Sequence, residues 1–427
     1  MADALLTDHY ELTMVDAALR DGSAARSAVF QTFCRRLPSG RRYGVTAGLG
    51  RLLPMLVDLR FSRADLDHLA ATGVVSDDTC AWLEGYRFSG DVVAYPEGEL
   101  LLPDSPVLTV EAPFAEAVVL ETLVLSVLNH DAAVAAAASR MALAARGRAL
   151  LEFGSRRTHE QAAVAAARAA WMVGFDASSN LRAGALHGVP TAGTAAHAWT
   201  LLHETELEAF GVQVEAAGPG TTLLVDTYDV EEGIRNAVAA AGPGLGAVRI
   251  DSGDLGVEAK RARVLLDELG ATDTRIVVSG DLDEHAIDAL ADAPVDGYGV
   301  GTQLVTGAGA PTANLVYKMV ARSDEPGGPA DVPVSKDSGA KSTHPGRLRA
   351  TRELDEHGTA VAEVLTAWDA PAPEGRPLQV QVVRAGEVVH ADTREQVLAR
   401  HRAALAELPD AGRDLGPGDP AIPTVHR

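Results

Sequence analysis

The 427-residue chain carries 59 acidic against 37 basic side chains, a formal net charge of −22 with histidine neutral. A field of that sign repels nucleic acid and anionic membranes, so neither is expected as a partner, and an anionic substrate would need positive charge gathered locally against the trend. With 47% hydrophobic residues and only Cys34 and Cys80 for thiols, the composition suits a globular protein of two or three domains in a reducing, cytoplasmic setting, without a disulfide framework or CxxC metal spacing.

The opening residues, MADALLTDHYELTM, are acidic and have neither the basic segment nor the apolar core of a signal peptide. Asp8 with Glu11 three residues on has the form of a capping box and predicts a helix through about Leu19. Ser27–Cys34 (SAVFQTFC) alternates like a strand, and Gly90–Val110 holds short β-like pieces broken by Pro96, Pro103 and Pro106. Ala115–Arg146 is a long alanine-rich helical pattern, expected as two helices meeting near Asn129-His130-Asp131. The chain's longest low-polarity stretch, Ala132–Ala138, is far too short to span a bilayer.

From Leu150 to Val305 a rhythm sets in, with a polar or glycine-rich cluster after one short apolar run after another. Arg148–Phe153 is a strand candidate, followed by a helix from about His159 to Met172. Thr221–Asp226 (TTLLVD) reads as a strand, with Asp229 as N-cap of a helix over Val230–Ala241. Ala247–Asp251 leads to a helix through Leu269, Arg275–Ser279 to a helix over Asp283–Ala291, and Val295–Val300 is the last clear strand. The clusters beginning at Asp226, Asp251, Ser279 and Gly299 start 25, 28 and 20 residues apart, the length of a strand-loop-helix unit. Such alternation implies buried parallel strands whose following loops open on one face around one cavity. Residues 175–220 resist assignment.

Arg322–Arg347, rich in Gly, Pro, Ser and Lys, reads as a long loop or crossover. Beyond it, Arg349–Val364 and Leu378–His390 read as strands, Thr393–Leu408 as an amphipathic helix, and Pro409–Arg427 as an extended tail.

Several clusters carry chemistry. In Phe153-Gly154-Ser155-Arg156-Arg157 an aromatic face adjoins a guanidinium pair, suited to a flat ring and a phosphate; the bland reading is a strand-end Phe with two surface arginines. His197 follows Gly193-Thr194, which offers close backbone approach and a hydroxyl, and Asp226 is a candidate to hold its other ring nitrogen and raise its nucleophilicity. In Arg249-Ile250-Asp251-Ser252-Gly253-Asp254-Leu255, alternation sends Arg249 and Asp251 to the same side of the strand, so a cation and a carboxylate face the cavity together. A plain βα turn explains Asp254 as a helix cap but not Arg249. Ser279-Gly280-Asp281 and Gly299-Val300-Gly301-Thr302 can present backbone N–H groups to a phosphate. No GxxxxGK[ST], HExxH or nucleophile elbow occurs; Gly339-Ala340-Lys341-Ser342-Thr343 is a P-loop near miss without the Gly-Lys pair.

Taken together, these stretches resemble the nicotinate phosphoribosyltransferase family, from Leu5-Leu6-Thr7-Asp8-His9-Tyr10 through EFGSRR, GTAAHAW, VDTYD, RIDSGDL and GVGTQLV to Tyr317-Lys318, then more weakly in Lys336-Asp337-Ser338 and Pro345-Gly346. The resemblance covers most of residues 1–350. It implies an α/β fold: the irregular, incomplete β/α barrel of type II phosphoribosyltransferases over 148–320, with an α+β sandwich domain built from 1–120 (a helical connection running to about 147) and from return strands and a C-terminal helix within 321–427. It implies ATP-assisted, Mg²⁺-dependent transfer of phosphoribose from 5-phosphoribosyl 1-pyrophosphate to nicotinate in NAD salvage, by a homodimer with shared sites. His197 then matches the histidine that ATP phosphorylates and Asp226 the acid supporting it. Tyr10, from the partner subunit, and Phe153 match aromatics that sandwich the pyridine ring. Thr194 and Arg249 match nicotinate contacts, Asp251 the ribose site, and Gly280, Gly301 and Thr302 the phosphate site, with Arg156 near ring and phosphates. No Mg²⁺ ligands are assigned by it. Where the family usually reads Gly-Thr-Ser-Asn, this chain reads Ala177-Ser178-Ser179-Asn180.

Three rivals remain. Nicotinamide phosphoribosyltransferases resemble this chain but carry an aspartate near Ser179, suited to an amide; uncharged Ser179 would not repel the carboxylate of nicotinate. Quinolinate phosphoribosyltransferases use no ATP and have no need of the GTAAH histidine. The third is a barrel-shaped binding or regulatory protein that has lost activity, against which His197, Arg249 and Asp251 stand intact.

Overall fold

The computed structural model describes residues 4–336 and 343–427. Asp337 and Ser338 of the family-like segment, and all but the last residue of the P-loop near miss, therefore lie outside the described residues. The chain divides into two compact units, Val134–Gly309 and a second made of Met1–Ala133 with Ala310–Arg427.

In the 134–309 unit six strands form one parallel sheet, in the order Ala177–Ser178, Ala149–Glu152, Gly297–Val300, Arg275–Gly280, Ala247–Ile250, Thr222–Leu224. Sequence neighbours from 222 onward are mostly sheet neighbours, as right-handed βα crossovers require. The strands are short and rich in Val, Ile and Leu because helices cover them; Val248, Ile250, Ile276, Val278 and Val300 are all fully buried. The open strand order makes this an incomplete β/α barrel, the expected architecture. Three of the acids that follow these strands cap helices. Asp229 accepts from the Glu232 N–H at 2.9 Å, Asp254 from Gly256 and Val257 N–H, and Asp283 from His285 and Ala286 N–H, satisfying donors that a helix start leaves unpaired. The stretch that resisted assignment holds the short 177–178 strand and helices Leu181–His187, His197–Leu201 and Glu206–Ala217.

The other unit is α+β. A seven-stranded antiparallel sheet runs Val332–Pro333, Leu315–Pro326, Arg26–Cys34, Leu108–Pro113, Asp91–Ala94, Val380–Arg384, Glu387–Val388, interleaving N- and C-terminal segments. A four-stranded sheet of Arg376–Pro377, Leu348–Leu354, Ala360–Ala367 and Thr424–His426 accompanies it. Phe30 stacks on Tyr317 at 4.8 Å between ring centroids, joining the first long strand to the strand that returns after the barrel. The last helix, Arg394–Glu407, starts with a reciprocal capping box of Thr393 and Gln396.

Five expectations need correction. Arg322–Arg347 is not all loop, because the Leu315–Pro326 strand runs into it and Val332–Pro333 pairs with that strand. The first helix, His9–Asp21, has no side-chain cap from Asp8, and Glu11 reaches back to the Thr7 hydroxyl rather than to the Asp8 N–H. Glu11 is instead fully buried, accepting from the Thr122 N–H at 2.9 Å and hydroxyl at 2.5 Å, so a tertiary contact took the residue that a local motif seemed to need. The alanine-rich stretch forms helices Phe114–Val118 and Glu121–Ala145, breaking near residue 119 and running unbroken through Asn129-His130-Asp131. Two of those polar residues find partners outside the helix: Asn129 holds the Leu315 N–H at 2.8 Å, and Oδ1 of Asp131 holds Arg51 at 2.6 Å and lies 2.9 Å from Nδ1 of His130. The tail is not simply extended, because Thr424–His426 pairs in parallel with Ala360–Ala367. Phe114–Ala145 is also long and apolar enough by composition to cross a membrane, more than the Ala132–Ala138 run suggested, but 67% of its most apolar window is buried in protein, as befits a core helix.

Candidate active site

The parallel register sets the loops after adjacent strands at one level. Val278 lies opposite Ile250, Gly280 opposite Val300, and Val300 opposite Glu152, so Asp251, Gly280, Gly301 and Phe153 all emerge at the carboxyl edge of the sheet. That edge is where open and closed α/β sheets place their ligands.

Asp226, one residue beyond the N–H bond of Val225 to the Arg249 carbonyl, is buried. Its Oδ2 accepts from the Asp251 N–H at 2.9 Å and the Ser252 hydroxyl at 2.6 Å, while Oδ1 lies 3.2 Å from Nε2 of His197. Both carboxylate oxygens are thereby fixed, and the imidazole is oriented by an acid that cannot swing away. His197 opens the His197–Leu201 helix with its side chain 40% exposed, so the ring is anchored at one nitrogen and accessible around the other.

Arg249 is held at three points: Nε donates to the Ser279 hydroxyl at 2.8 Å, one terminal nitrogen to the Thr194 hydroxyl at 3.0 Å, and the other to Oδ1 of Asp251 at 2.8 Å. The same Oδ1 accepts from the Ser279 hydroxyl, which leaves Oδ2 of Asp251 with no protein donor among the described residues. Burial pushes the Asp251 carboxyl up, but the Ser279 hydrogen bond, Arg249 and the charge of His197 outweigh it and hold the group below the usual carboxylate range. Asp251 is thus an anion at neutral pH, with one oxygen tied and one open.

The guanidinium of Arg249 lies 5.3 Å from the centroid of the Phe153 ring, within cation–π range. Gly299 adjoins the Cδ2–Cε2 side of the ring, where a Cβ would come within 2.7 Å of those carbons, so only glycine lets Phe153 lie there. Glu152, fully buried in phase with Leu150, accepts from the Gly154 N–H and the Ser178 hydroxyl and ties the 153–157 turn to the neighbouring strand. Burial raises its carboxyl above the ordinary value, against those two bonds and the charge of Arg156. Ser178 in turn receives the Asn180 N–H at 2.9 Å, and the Asn180 amide donates to the Ser155 hydroxyl at 3.0 Å.

His197, Asp226, Thr194, Arg249 and Asp251 are therefore joined by direct contacts, and Phe153 lies against Arg249. Ser179 adjoins the Phe153 turn, its N–H donating to the Glu152 carbonyl at 2.8 Å, and Arg156 is exposed on that turn. Gly280, at φ +148°, and Gly301, which precedes the short Thr302–Val305 helix, sit at neighbouring strand ends. Tyr10 belongs to the other unit, on the first helix, where burial and then the charges of Glu121 and Glu11 raise its hydroxyl well above its usual range. Sequence reasoning missed Glu152, Ser252 and the hydroxyl role of Ser279. Glu152 carried a signal, an acid at the inward phase of an apolar strand; the two serines carried none beyond lying in loops already marked.

A model of the nicotinate phosphoribosyltransferase N-terminal domain matches residues 5–129. Nicotinate phosphoribosyltransferase pncB1 of Mycobacterium tuberculosis is 57% identical over 439 aligned residues, covering 98% of this chain and 94% of that protein. Nicotinate phosphoribosyltransferase of Bacillus subtilis is 38% identical over 83% of this chain and 74% of its own. The crystal structure of human nicotinic acid phosphoribosyltransferase superposes with a TM-score of 0.81 at 26% identity, covering 99% of this chain and 97% of that one. With likeness of that degree along nearly its whole length, and a fold to match, the chain belongs to the nicotinate phosphoribosyltransferase family.

Proposed function

We propose that this chain transfers phosphoribose from 5-phosphoribosyl 1-pyrophosphate to the ring nitrogen of nicotinate, releasing pyrophosphate, and that ATP drives the reaction by phosphorylating His197. The observation that carries the reading is the contiguous set His197–Asp226–Asp251–Arg249 at one sheet edge. As the bond from the ribose carbon to pyrophosphate breaks, that carbon gains positive charge, and the open Oδ2 of Asp251 is an anion available to stabilise it. Phe153 offers a face to the pyridine ring. Arg249, held rigid by Thr194, Ser279 and Asp251, keeps further N–H groups for a carboxylate, which favours nicotinate over its amide. Ser179 adds no charge to oppose that carboxylate. The N–H groups near Gly280, Gly301 and Thr302, with Arg156, suit the phosphates.

With Nε2 of His197 turned to Asp226, the lone pair falls on Nδ1, the nitrogen we assign as acceptor of the γ-phosphoryl group as ADP departs. The oxygen-only donors Asp251 and Asp281 at the strand ends suit Mg²⁺ arriving on the diphosphate, where it supplies charge neutralisation to the leaving group when bound. Exposed Leu181, Leu186, Leu201, Leu202, Leu207 and Tyr228, clustered in sequence around the His197 segment, fit a face covered by a second copy, and a homodimer would bring the partner's Tyr10 helix into play. NAD salvage in the cytoplasm is the setting this chemistry serves.

The test is to supply 5-phosphoribosyl 1-pyrophosphate and Mg²⁺ with nicotinate, nicotinamide or quinolinate, with and without ATP, and to measure mononucleotide. We expect product from nicotinate alone, stimulated by ATP, with label from γ-labelled ATP on wild-type protein and none on His197→Ala. Product from no acceptor would overturn the proposal and leave an inactive relative in its place.

A further inference from the structure

In the α+β unit, three metal-ligating side chains that the proposed function does not use converge from distant parts of the chain. Asp104 lies just past the Leu100–Leu101 strand, His344 just ahead of Leu348–Leu354, and His426 in the closing Thr424–His426 strand. Their ligand atoms all lie within 4.8 Å of one another. The convergence is built by the backbone. Pairing of His426 with Leu365 fixes the closing strand, and the Thr424 hydroxyl donates to the Pro103 carbonyl at 2.8 Å beside Asp104. Asp104 is held at φ +63° with its N–H on the Cys34 carbonyl at 2.7 Å, a left-handed conformation that aspartate tolerates better than most residues. Its carboxylate accepts no hydrogen bond among the described residues; its neighbours are the two imidazoles and the charge of Arg35.

We propose that Asp104, His344 and His426 bind a divalent transition ion of the Zn²⁺ class, clasping the C-terminal strand to the 103–104 loop and the 344 segment. Two imidazoles and one carboxylate without a thiolate suit Zn²⁺, Ni²⁺ or Co²⁺, whereas Mg²⁺ and Ca²⁺ select oxygen ligands. Three protein ligands leave a fourth position for water. The imidazoles now stack at 3.6 Å between centroids with 24° between planes. A metal held by both must lie in both ring planes about 2 Å from each nitrogen, which parallel stacked rings do not permit. Binding therefore turns one ring out of the stack, a side-chain rotation open to His344 and His426 because both are exposed. Because the three ligands meet only in the folded chain, the ion stabilises the fold.

The experiment uses the full chain, stripped with chelator and dialysed. Calorimetric titration with Zn²⁺ is expected to find one ion per chain in the wild type, with a rise in melting temperature. Binding at that site and the rise should both disappear in His344→Ala/His426→Ala, and Asp104→Asn, which keeps the left-handed backbone, should weaken binding. Zinc-edge X-ray absorption of the wild type, which depends on no variant, should find two imidazole ligands. Equal Zn²⁺ affinity in the double variant, no binding at micromolar metal, or a zinc spectrum without imidazole would each overturn the site.

Discussion

In the 134–309 unit Arg249 meets Asp251, Ser279 and Thr194 with its side chain 16% exposed, and Asp251 is 33% exposed. In the α+β unit Arg352 meets Glu363 at 3.0 Å and Glu99 at 3.8 Å with all three side chains sealed from water. Tyr95 and Ser105 donate to Glu363, and Arg376 bridges Glu99 to Glu407. Both clusters are arginine, carboxylate and hydroxyl. They differ in where spare capacity lies. Among the described residues, the sealed one surrounds its carboxylates with protein donors and leaves only Nε and one terminal nitrogen of Arg352 unmatched, away from water. The open one leaves Oδ2 of Asp251 unclaimed at the solvent edge. Spare hydrogen-bonding capacity at a solvent edge marks a place for substrate, and the same groups closed on themselves make a structural joint.

The largest effect that would separate the two is loss of a sealed charge. Arg352→Leu leaves buried Glu363 without its cation and should cost about 3–5 kcal/mol of stability, measured by urea unfolding, with turnover per folded molecule little changed. Adding Glu363→Leu should recover much of that loss, because a buried pair is dearer to break than to replace. If Arg352→Leu unfolded no more readily than the wild type, the sealed cluster would not be the joint described.

The open cluster should respond the other way. Asp251→Asn keeps its shape and loses its charge, so turnover should fall about 10²–10³-fold, judged from the loss of a single preorganised stabilising group, while the unfolding midpoint stays near that of wild type. A fall in stability comparable to that of Arg352→Leu would mean that Asp251 is structural after all.

The contrast also explains what could be read from the sequence. The open site comes from short contiguous runs, so Arg249 and Asp251 could be put on one side of a strand from alternation alone, and the βα rhythm from Asp226 to Gly301 marked the loops that gather. Asp226, 29 residues from His197 in sequence, becomes its partner only through the fold. The sealed cluster was illegible, because Tyr95, Glu99, Arg352, Glu363, Arg376 and Glu407 share no local pattern and meet only through the sheets. Glu11 shows the same limit in one residue: its spacing from Asp8 fits a helix cap, and only tertiary packing turns it toward Thr122. The unbroken helix through Asn129 and Asp131 is another case, since the partners that permit it, Leu315 and Arg51, lie far away in sequence.

A third test reads the sealed region by pH. Burial lowers the His401 imidazole from 6.5 to about 4, with Gly98 carbonyl and Glu99 acting against the shift. The unfolded chain therefore takes up this proton near pH 6.5, and the folded chain does not until about 4. Stability from this group is complete above pH 6.5, falls as the pH drops toward 4, and amounts to about 3 kcal/mol over that span. His401→Gln should flatten that part of the stability–pH curve relative to wild type. Parallel curves would show that His401 takes up its proton in the folded chain as readily as in water.

The smallest change sharpens the open site most. Ser279→Ala removes one hydroxyl that touches both Arg249 and Oδ1 of Asp251, at a net cost of about 1 kcal/mol, or roughly fivefold in kcat/KM. The Ser279 bond favours ionised Asp251, so its loss raises that carboxyl toward the ordinary range. The acid limb of the rate profile, which requires the anion, should then move to higher pH, while the alkaline limb stays in place. Thr194→Val cuts a bond to Arg249 without touching Asp251 and should lower kcat/KM similarly with no shift of the acid limb. A shift in both variants, or in neither, would break the link between the Ser279 hydroxyl and the charge on Asp251. A shift in Ser279→Ala alone would tie the rate to ionisation at Asp251, because only that variant removes a donor from its Oδ1.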